Sequence, residues 1–145
     1  MTTRSSKKNQ IPAVEGVFTW PSEEPRFIAS RCKTCGTVSF PKFAFCRNPK
    51  CKNKRDVEEI LLSRRGKLMT FTQVHYIPPP PYVPPQNFTP FAIGEVSFPE
   101  GIAIVGQMTG CKYEDLREGM EVEMVVQKLY EDDGKEIMGW RFRPL

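Results

Sequence analysis

Four cysteines in the first half of the chain have a spacing that suits a metal ion. Cys32 and Cys35 form a C-x-x-C pair that Gly36 follows, and Cys46 and Cys51 come after ten intervening residues. Two such turns bring four thiolates to the tetrahedral arrangement that structural zinc prefers, and the glycine suits the left-handed turn of a metal knuckle. We expect these four cysteines to hold one structural zinc ion, with iron as the chemical rival.

The second cysteine pair departs from the two-residue spacing. Four residues separate Cys46 from Cys51, which predicts a longer and distorted knuckle around Pro49. A set of four thiolates leaves no open coordination position, so we do not expect a catalytic zinc. The cations near the cysteines either offset the negative charge of a metal tetrathiolate or form an anion site for a nucleotide or nucleic acid. They are Arg31, Lys33, Lys42, Arg47, Lys50, Lys52, Lys54 and Arg55.

No catalytic residues are predicted. His75 is the only histidine, and no serine or cysteine nucleophile motif accompanies it. Cys111 lies outside the metal cluster, and a small buried side chain at a strand end is its simplest interpretation. The chain has no phosphate-binding glycine loop and no metal-hydrolase motif. We therefore do not expect the chain to be an enzyme on its own.

The composition limits the possible classes of protein, and the distribution of charge divides the chain into two parts. The chain has 145 residues and a net charge of +4. Residues 1–67 have a net charge of +9, whereas residues 68–145 have a net charge of −5. Without an apolar run long enough for a membrane span or a secretory signal, we expect a cytoplasmic protein with reduced thiols and no membrane partner.

The second part has the alternating pattern of β-strands, and the part before the cysteines is harder to interpret. Five strands in about 80 residues predict a small closed barrel of the OB type, with a short open sandwich as the alternative. Residues 11–31 predict a short helix or an extended arm, with Trp20 in the chain's own core or in a partner's groove. The predicted units are an N-terminal arm or helix (1–28), a rubredoxin-like zinc ribbon (29–62) and a mainly β barrel (63–145). The predicted strands cover residues 68–76, 92–98, 102–109, 122–126 and 138–142, with an irregular or helical piece at 112–118.

A stiff loop separates the first two predicted strands. Residues 77–91 are rich in proline and present aromatic side chains, including Tyr82 and Phe88. Prolines hold such a segment extended before it meets a partner. The loop is either a plain barrel connection or a binding element, and we favour the binding element. Tyr82 and Phe88 are then the candidate partner-binding residues.

Three motifs, in order, resemble a known family. These are R-C-x-x-C-G-x-x-x-F-P at 31–41, R-G-K-L-M-T-F-T-Q-V-H at 65–75 and L-R-E-G-M-E-V-E-M-V at 116–125. They are similar to those of acyl-CoA-associated proteins in which a rubredoxin-like zinc ribbon is fused to an OB-fold. The resemblance covers residues 15–145, and the wider Cys46–Cys51 spacing is its departure from the family pattern.

The resemblance implies a noncatalytic subunit of a thiolase-type acyl-CoA complex. Its partner would be a thiolase-like catalytic subunit in a hetero-oligomer, which shares a coenzyme A ester as ligand. Thiolysis in aromatic (toluene) degradation, other thiolases, steroid side-chain aldolases and an archaeal acetoacetyl-CoA complex are the settings it suggests. Arg64, Arg65 and Lys67, at the junction of the two modules, would contact the coenzyme A phosphates unless they form a solvated linker.

A different class of function competes with this one. OB-folds with zinc ribbons and basic surfaces also bind single-stranded nucleic acid. The negative balance of the barrel part repels phosphate, and the aromatic residues concentrate in the proline-rich loop. The sequence therefore favours the subunit interpretation over nucleic-acid binding.

Overall fold

The chain folds into a three-stranded ribbon and a closed five-stranded barrel. The computed structural model describes residues 9–145. The strands are β1 (Gln10–Pro12), β2 (Ile28–Cys32), β3 (Val38–Ser39), β4 (Val57–Leu61), β5 (Arg65–Val74), β6 (Phe91–Phe98), β7 (Ile102–Met108), β8 (Glu121–Asp132) and β9 (Lys135–Pro144). A 3-10 turn at Tyr113–Asp115 lies in the piece predicted as irregular or helical. None of the described residues forms a helix long and apolar enough to cross a membrane.

The barrel closes through a parallel pairing. Strands β5, β6 and β7 form an antiparallel meander, β8 pairs with β5 and β9, and β9 pairs in parallel with β7. At this closure the ring of Phe142 packs directly on the backbone of Gly106, because a Cβ on Gly106 would lie 2.7 Å from a ring carbon of Phe142. The OB-type barrel predicted from the strand pattern is confirmed, and the sandwich alternative is wrong.

Alternation along the strands builds the barrel core. Leu68, Val96, Val122, Met124 and Phe142 are fully buried at inward positions of four strands. The turn between β8 and β9 has positive φ at Asp133 and Gly134, which matches the twist of a tight hairpin. Both strands are longer than predicted because their outer halves continue beyond the barrel as a hairpin, which is exposed along β8 and covered by β1 along β9.

Of the two alternatives predicted for the N-terminal segment, the helix is wrong and the chain forms an extended arm. Residues 10–12 form β1, which pairs in parallel with β9, and the chain then runs irregularly to an isolated bridge between Phe18 and Phe27. Pro12, Pro21 and Pro25 interrupt this segment, and each removes a backbone donor that a helix needs. Residues 1–8 of the predicted arm lie outside the described residues.

The segment instead packs as an extended anchor between the ribbon and the barrel. Val17, Phe18 and Phe27 are buried in one core together with the barrel side chains. Trp20 packs against the same core, with its ring edge-on to Phe18 at a centroid distance of 6.5 Å. This places Trp20 against the chain's own core.

Candidate functional site

The four ribbon cysteines converge on one point. The Sγ atoms of Cys32, Cys35, Cys46 and Cys51 all lie within 4.8 Å of one another. The sulfurs of Cys32 and Cys51 are 3.7 Å apart, and those of Cys35 and Cys46 are 3.5 Å apart. A tetrahedral ion with Zn–S bonds of about 2.3 Å needs sulfur separations of about 3.8 Å. The donor set therefore fits zinc, and it equally suits iron in a tetrathiolate site.

Backbone hydrogen bonds shape both knuckles. The N–H of Gly36, at a φ of 82°, donates to the carbonyl of Cys32 at 2.8 Å. In the longer second knuckle the N–H of Cys51 donates to the carbonyl of Asn48 at 3.0 Å. The side-chain oxygen of Asn48 also accepts from the N–H of Lys50 at 3.0 Å. The turn at Asn48 thus accommodates the additional residues of this knuckle, and the sulfurs of Cys46 and Cys51 still converge with those of the first pair.

Local hydrogen bonds favour the thiolate of Cys35. Its sulfur lies 3.2 Å from the hydroxyl oxygen of Thr37. Hydrogen bonds from the side chain and the backbone of Thr37 lower the pKa of Cys35 to about 6. The amide of Asn48 donates to the same sulfur at 3.7 Å. Because the thiolate is the form that binds a metal, the fold stabilises this ligand in its binding form.

The ribbon cations fall into two groups. Arg31 pairs with Glu58 at 3.0 Å and Lys42 pairs with Glu59 at 2.8 Å, while the ammonium of Lys54 contacts a backbone carbonyl. The others have no ion-pair partner within residues 9–145, so the ribbon surface keeps a positive excess. These are Lys33, Arg47, Lys50, Lys52 and Arg55.

Two exposed phenylalanines lie among these cations, and sequence reasoning missed them. Phe43 is 50% exposed and Phe45 is 48% exposed. The guanidinium carbon of Arg47 lies 5.1 Å from the ring centre of Phe43, and that of Arg55 lies 6.0 Å from the ring centre of Phe45. Their F-x-F spacing in a short loop is the sequence feature that could have identified them. We call these four residues the aromatic–cationic patch.

The three junction cations do not act as one group. Arg64 donates to the backbone carbonyls of Pro25 at 3.2 Å and Met124 at 3.0 Å, which ties the N-terminal segment to the barrel. Arg65 and Lys67 instead lie on the outer face of β5 and line an open cavity of about 430 Å³. The structure therefore brings Arg65 and Lys67 together and gives Arg64 a structural contact elsewhere.

The aromatic residues of the proline-rich loop pack on one another. The rings of Tyr82 and Phe91 are stacked at 5.9 Å, and Phe88 meets Phe91 edge-on at 6.0 Å. Tyr82 and Phe88 are half-buried by these contacts. Tyr82 also lines a cavity of about 510 Å³ between the loop and the barrel, which Arg141 borders from β9.

His75 and Cys111 lie in ordinary surroundings. His75 is exposed just after β5. Cys111 is half-buried against the core, and desolvation together with the charge of Asp115 raises the pKa of its thiol. A raised pKa keeps the sulfur protonated at neutral pH, where a nucleophile needs to be a thiolate.

Comparisons with known proteins match both modules. The family model of the ChsH2 rubredoxin-like zinc ribbon domain matches residues 20–58, and that of the ChsH2 C-terminal OB-fold domain matches residues 59–127. A DUF35 domain-containing scaffold protein of Methanocaldococcus jannaschii is 40% identical over 136 residues, which are 89% of this chain and 90% of that protein.

Two further similarities involve enzyme complexes. The benzoylsuccinyl-CoA thiolase subunit BbsA of Thauera aromatica is 33% identical over 129 residues, 83% of this chain and 78% of that protein. A solved structure titled Ltp2-ChsH2(DUF35) aldolase has a TM-score of 0.63 at 24% identity, covering 82% of this chain and 84% of that one. At this identity the structural match supports the fold.

Proposed function

This chain belongs to the ChsH2-type DUF35 family, in which a rubredoxin-like zinc ribbon precedes an OB-fold domain, and on that premise we propose a noncatalytic scaffold subunit of a thiolase-type acyl-CoA complex. The observation that carries this proposal is the 33% identity with a thiolase subunit over 83% of the chain. The protonated, partly buried Cys111 and the exposed His75 support a partner subunit as the source of the catalytic groups.

The proposal assigns a structural role to one zinc ion per chain. Cys32, Cys35, Cys46 and Cys51 would hold the ion, which would cross-link the knuckles of a ribbon that buries little apolar surface outside the shared core. The ribbon would then present the aromatic–cationic patch with a fixed shape. Because the metal is enclosed by four thiolates, its contribution is to folding.

Two surfaces are proposed to meet the catalytic subunit or its ligand. Tyr82 and Phe88 stiffen the proline-rich loop, and they are our candidate anchors on the partner, since aromatic side chains often dominate the energy of an interface. Arg65 and Lys67 are the candidate contacts to the coenzyme A phosphates because both line the open cavity beside β5. Arg64 would act there only by holding the junction in place.

Benzoylsuccinyl-CoA is the acyl substrate that the thiolase similarity suggests for the complex. The higher identity with a protein described as a DUF35 domain-containing scaffold supports a general scaffold role, and a complex acting on acetoacetyl-CoA is our second proposed setting. Assaying the assembled complex with benzoylsuccinyl-CoA and with acetoacetyl-CoA separates these settings. Preferred turnover of acetoacetyl-CoA would contradict the aromatic assignment and leave the subunit role intact.

The test is purification of the tagged full chain at native expression level, followed by mass spectrometry. We expect a stoichiometric thiolase-like protein and no thiolytic activity from the highly purified chain alone. A chain that purifies without such a partner and binds single-stranded oligonucleotides with a steep salt dependence would refute the proposal. Unchanged coenzyme A affinity of the complex after Arg65→Ala/Lys67→Ala would refute the phosphate contact alone.

A further inference from the structure

The cavity under the proline-rich loop contains an arginine without a counter-charge. Arg141 projects from β9 between Trp140 and Phe142 and is half-buried. One amino group of its guanidinium donates to the side-chain oxygen of Gln127 at 3.1 Å, and its Nε is buried without an acceptor. Desolvation lowers the pKa of Arg141, which reflects the cost of keeping this charge away from water.

The other charges around the cavity are already balanced. Lys128 is the second cation of the lining, and its ammonium lies 2.9 Å from a carboxylate oxygen of Glu131 and 4.0 Å from one of Glu136. No carboxylate of residues 9–145 forms an ion pair with Arg141. The loop residues that line the cavity, Tyr82 among them, include no carboxylate. The cavity therefore has one uncompensated positive charge on the Arg141 side.

The loop side of the lining is mainly apolar, and Thr89, Gln107 and Tyr130 are the neutral polar residues around it. Pro81, Val83 and Pro85 from the loop and Leu129 from β8 line the cavity, and the ring of Phe91 stacks on that of Tyr82. A volume of about 510 Å³ falls within the range of small-molecule sites. The prolines hold this wall in place before any ligand arrives.

We propose that this cavity binds a small anionic ligand, whose carboxylate or phosphate pairs with Arg141 and whose aromatic or aliphatic body lies against Tyr82 and the loop prolines. A planar guanidinium pairs with either oxyanion through two parallel hydrogen bonds. Gln127 orients the guanidinium by holding one of its amino groups. The bound oxyanion supplies the counter-charge that this part of the protein lacks. This site is separate from the Arg65–Lys67 cavity and goes beyond the subunit role.

The experiment uses the full zinc-loaded chain without any partner, so its failure leaves the subunit role untouched. Phenyl phosphate and benzoate are the probes, and benzamide is the neutral control of similar shape. We expect calorimetric binding of at least one anion and no binding of benzamide at the same concentration. The tighter of the two anions identifies the headgroup as phosphate or carboxylate. Equal binding of benzamide would overturn the proposal.

Two variants and one spectroscopic measurement locate the site. Arg141→Gln is expected to weaken anion binding by about tenfold or more, since a charge-assisted pair is lost. Arg143→Gln, two residues further along β9 and exposed, is the matched control and should bind as the wild type does. The Nε–H resonance of Arg141 in the wild-type chain should shift on titration, and this decides the question even if Arg141→Gln does not fold. An unmoved resonance, or undiminished binding by a folded Arg141→Gln chain, would overturn the proposal.

Discussion

Replacing Phe27 by alanine tests whether the ribbon and the barrel share one core. The ring of Phe27 is 0% exposed and has aromatic neighbours in both modules. Its centroid lies 5.1 Å from that of Phe40 in the ribbon and 5.4 Å from that of Trp140 in the barrel. Truncating a buried phenylalanine costs about 3–5 kcal/mol, and the several aromatic pairs lost here place Phe27→Ala near the upper end of that range.

The assay is urea unfolding of the zinc-loaded chain, followed by tryptophan fluorescence. A loss of about 5 kcal/mol is a large part of the stability of a small protein, so the midpoint should fall well below that of the wild type. Phe43→Ala is the matched control, because this ring is 50% exposed and its loss should cost less than about 1 kcal/mol. A loss below about 2 kcal/mol for Phe27→Ala would refute the shared core.

Three further perturbations test the metal site, the loop and the barrel surface. Cys46→Ser should abolish zinc in elemental analysis, whereas Cys111→Ser should leave one zinc per chain, and retained metal in Cys46→Ser would contradict the site. Tyr82→Ala and Phe88→Ala should each weaken assembly with the partner by about 1–3 kcal/mol in analytical ultracentrifugation, with little change in the thermal unfolding of the lone chain. A hydrogen bond from Arg143 on β9 lowers the pKa of Glu123. The carboxylate of Glu123 therefore stabilises the fold above about pH 4, and this contribution is lost as the pH falls further. Glu123→Gln should therefore cost about 0.5–1 kcal/mol at pH 7 and nothing in strong acid, and a difference that persists there would contradict the ion pair.

The parts of the fold that were predictable depend on local patterns. The C-x-x-C-G signature and the alternation in the second half report short-range geometry, so the convergence of the cysteines and the five barrel strands follow from the sequence. Closure of the barrel depends on the parallel contact of β7 with β9, whose partners Gln107 and Arg141 are far apart along the chain. The strand pattern therefore left a sandwich open as an alternative.

The errors and omissions share a physical cause. Apolar residues around Phe18 left a short helix and an extended arm as alternatives, and the helix is wrong because their partners lie in the barrel core and the prolines between them prevent helical hydrogen bonds. The alternation of side chains along β9 would by itself predict that Arg141 points outward into solvent. Only the folding of the proline-rich loop over β8 and β9 encloses it, and no short-range signal encodes that contact.

The parallel pairing of β1 with β9 has a consequence for self-association. β9 contacts β7 only at its far end, and along 136–138 its hydrogen-bonding groups are taken by residues 9–13. Without those residues β9 would present an unprotected, partly apolar edge, which is a template for strand addition by another molecule. A chain lacking residues 1–13 should keep its barrel core yet aggregate with increasing concentration in light scattering. The first strand would thus protect the edge of β9 from intermolecular β-pairing.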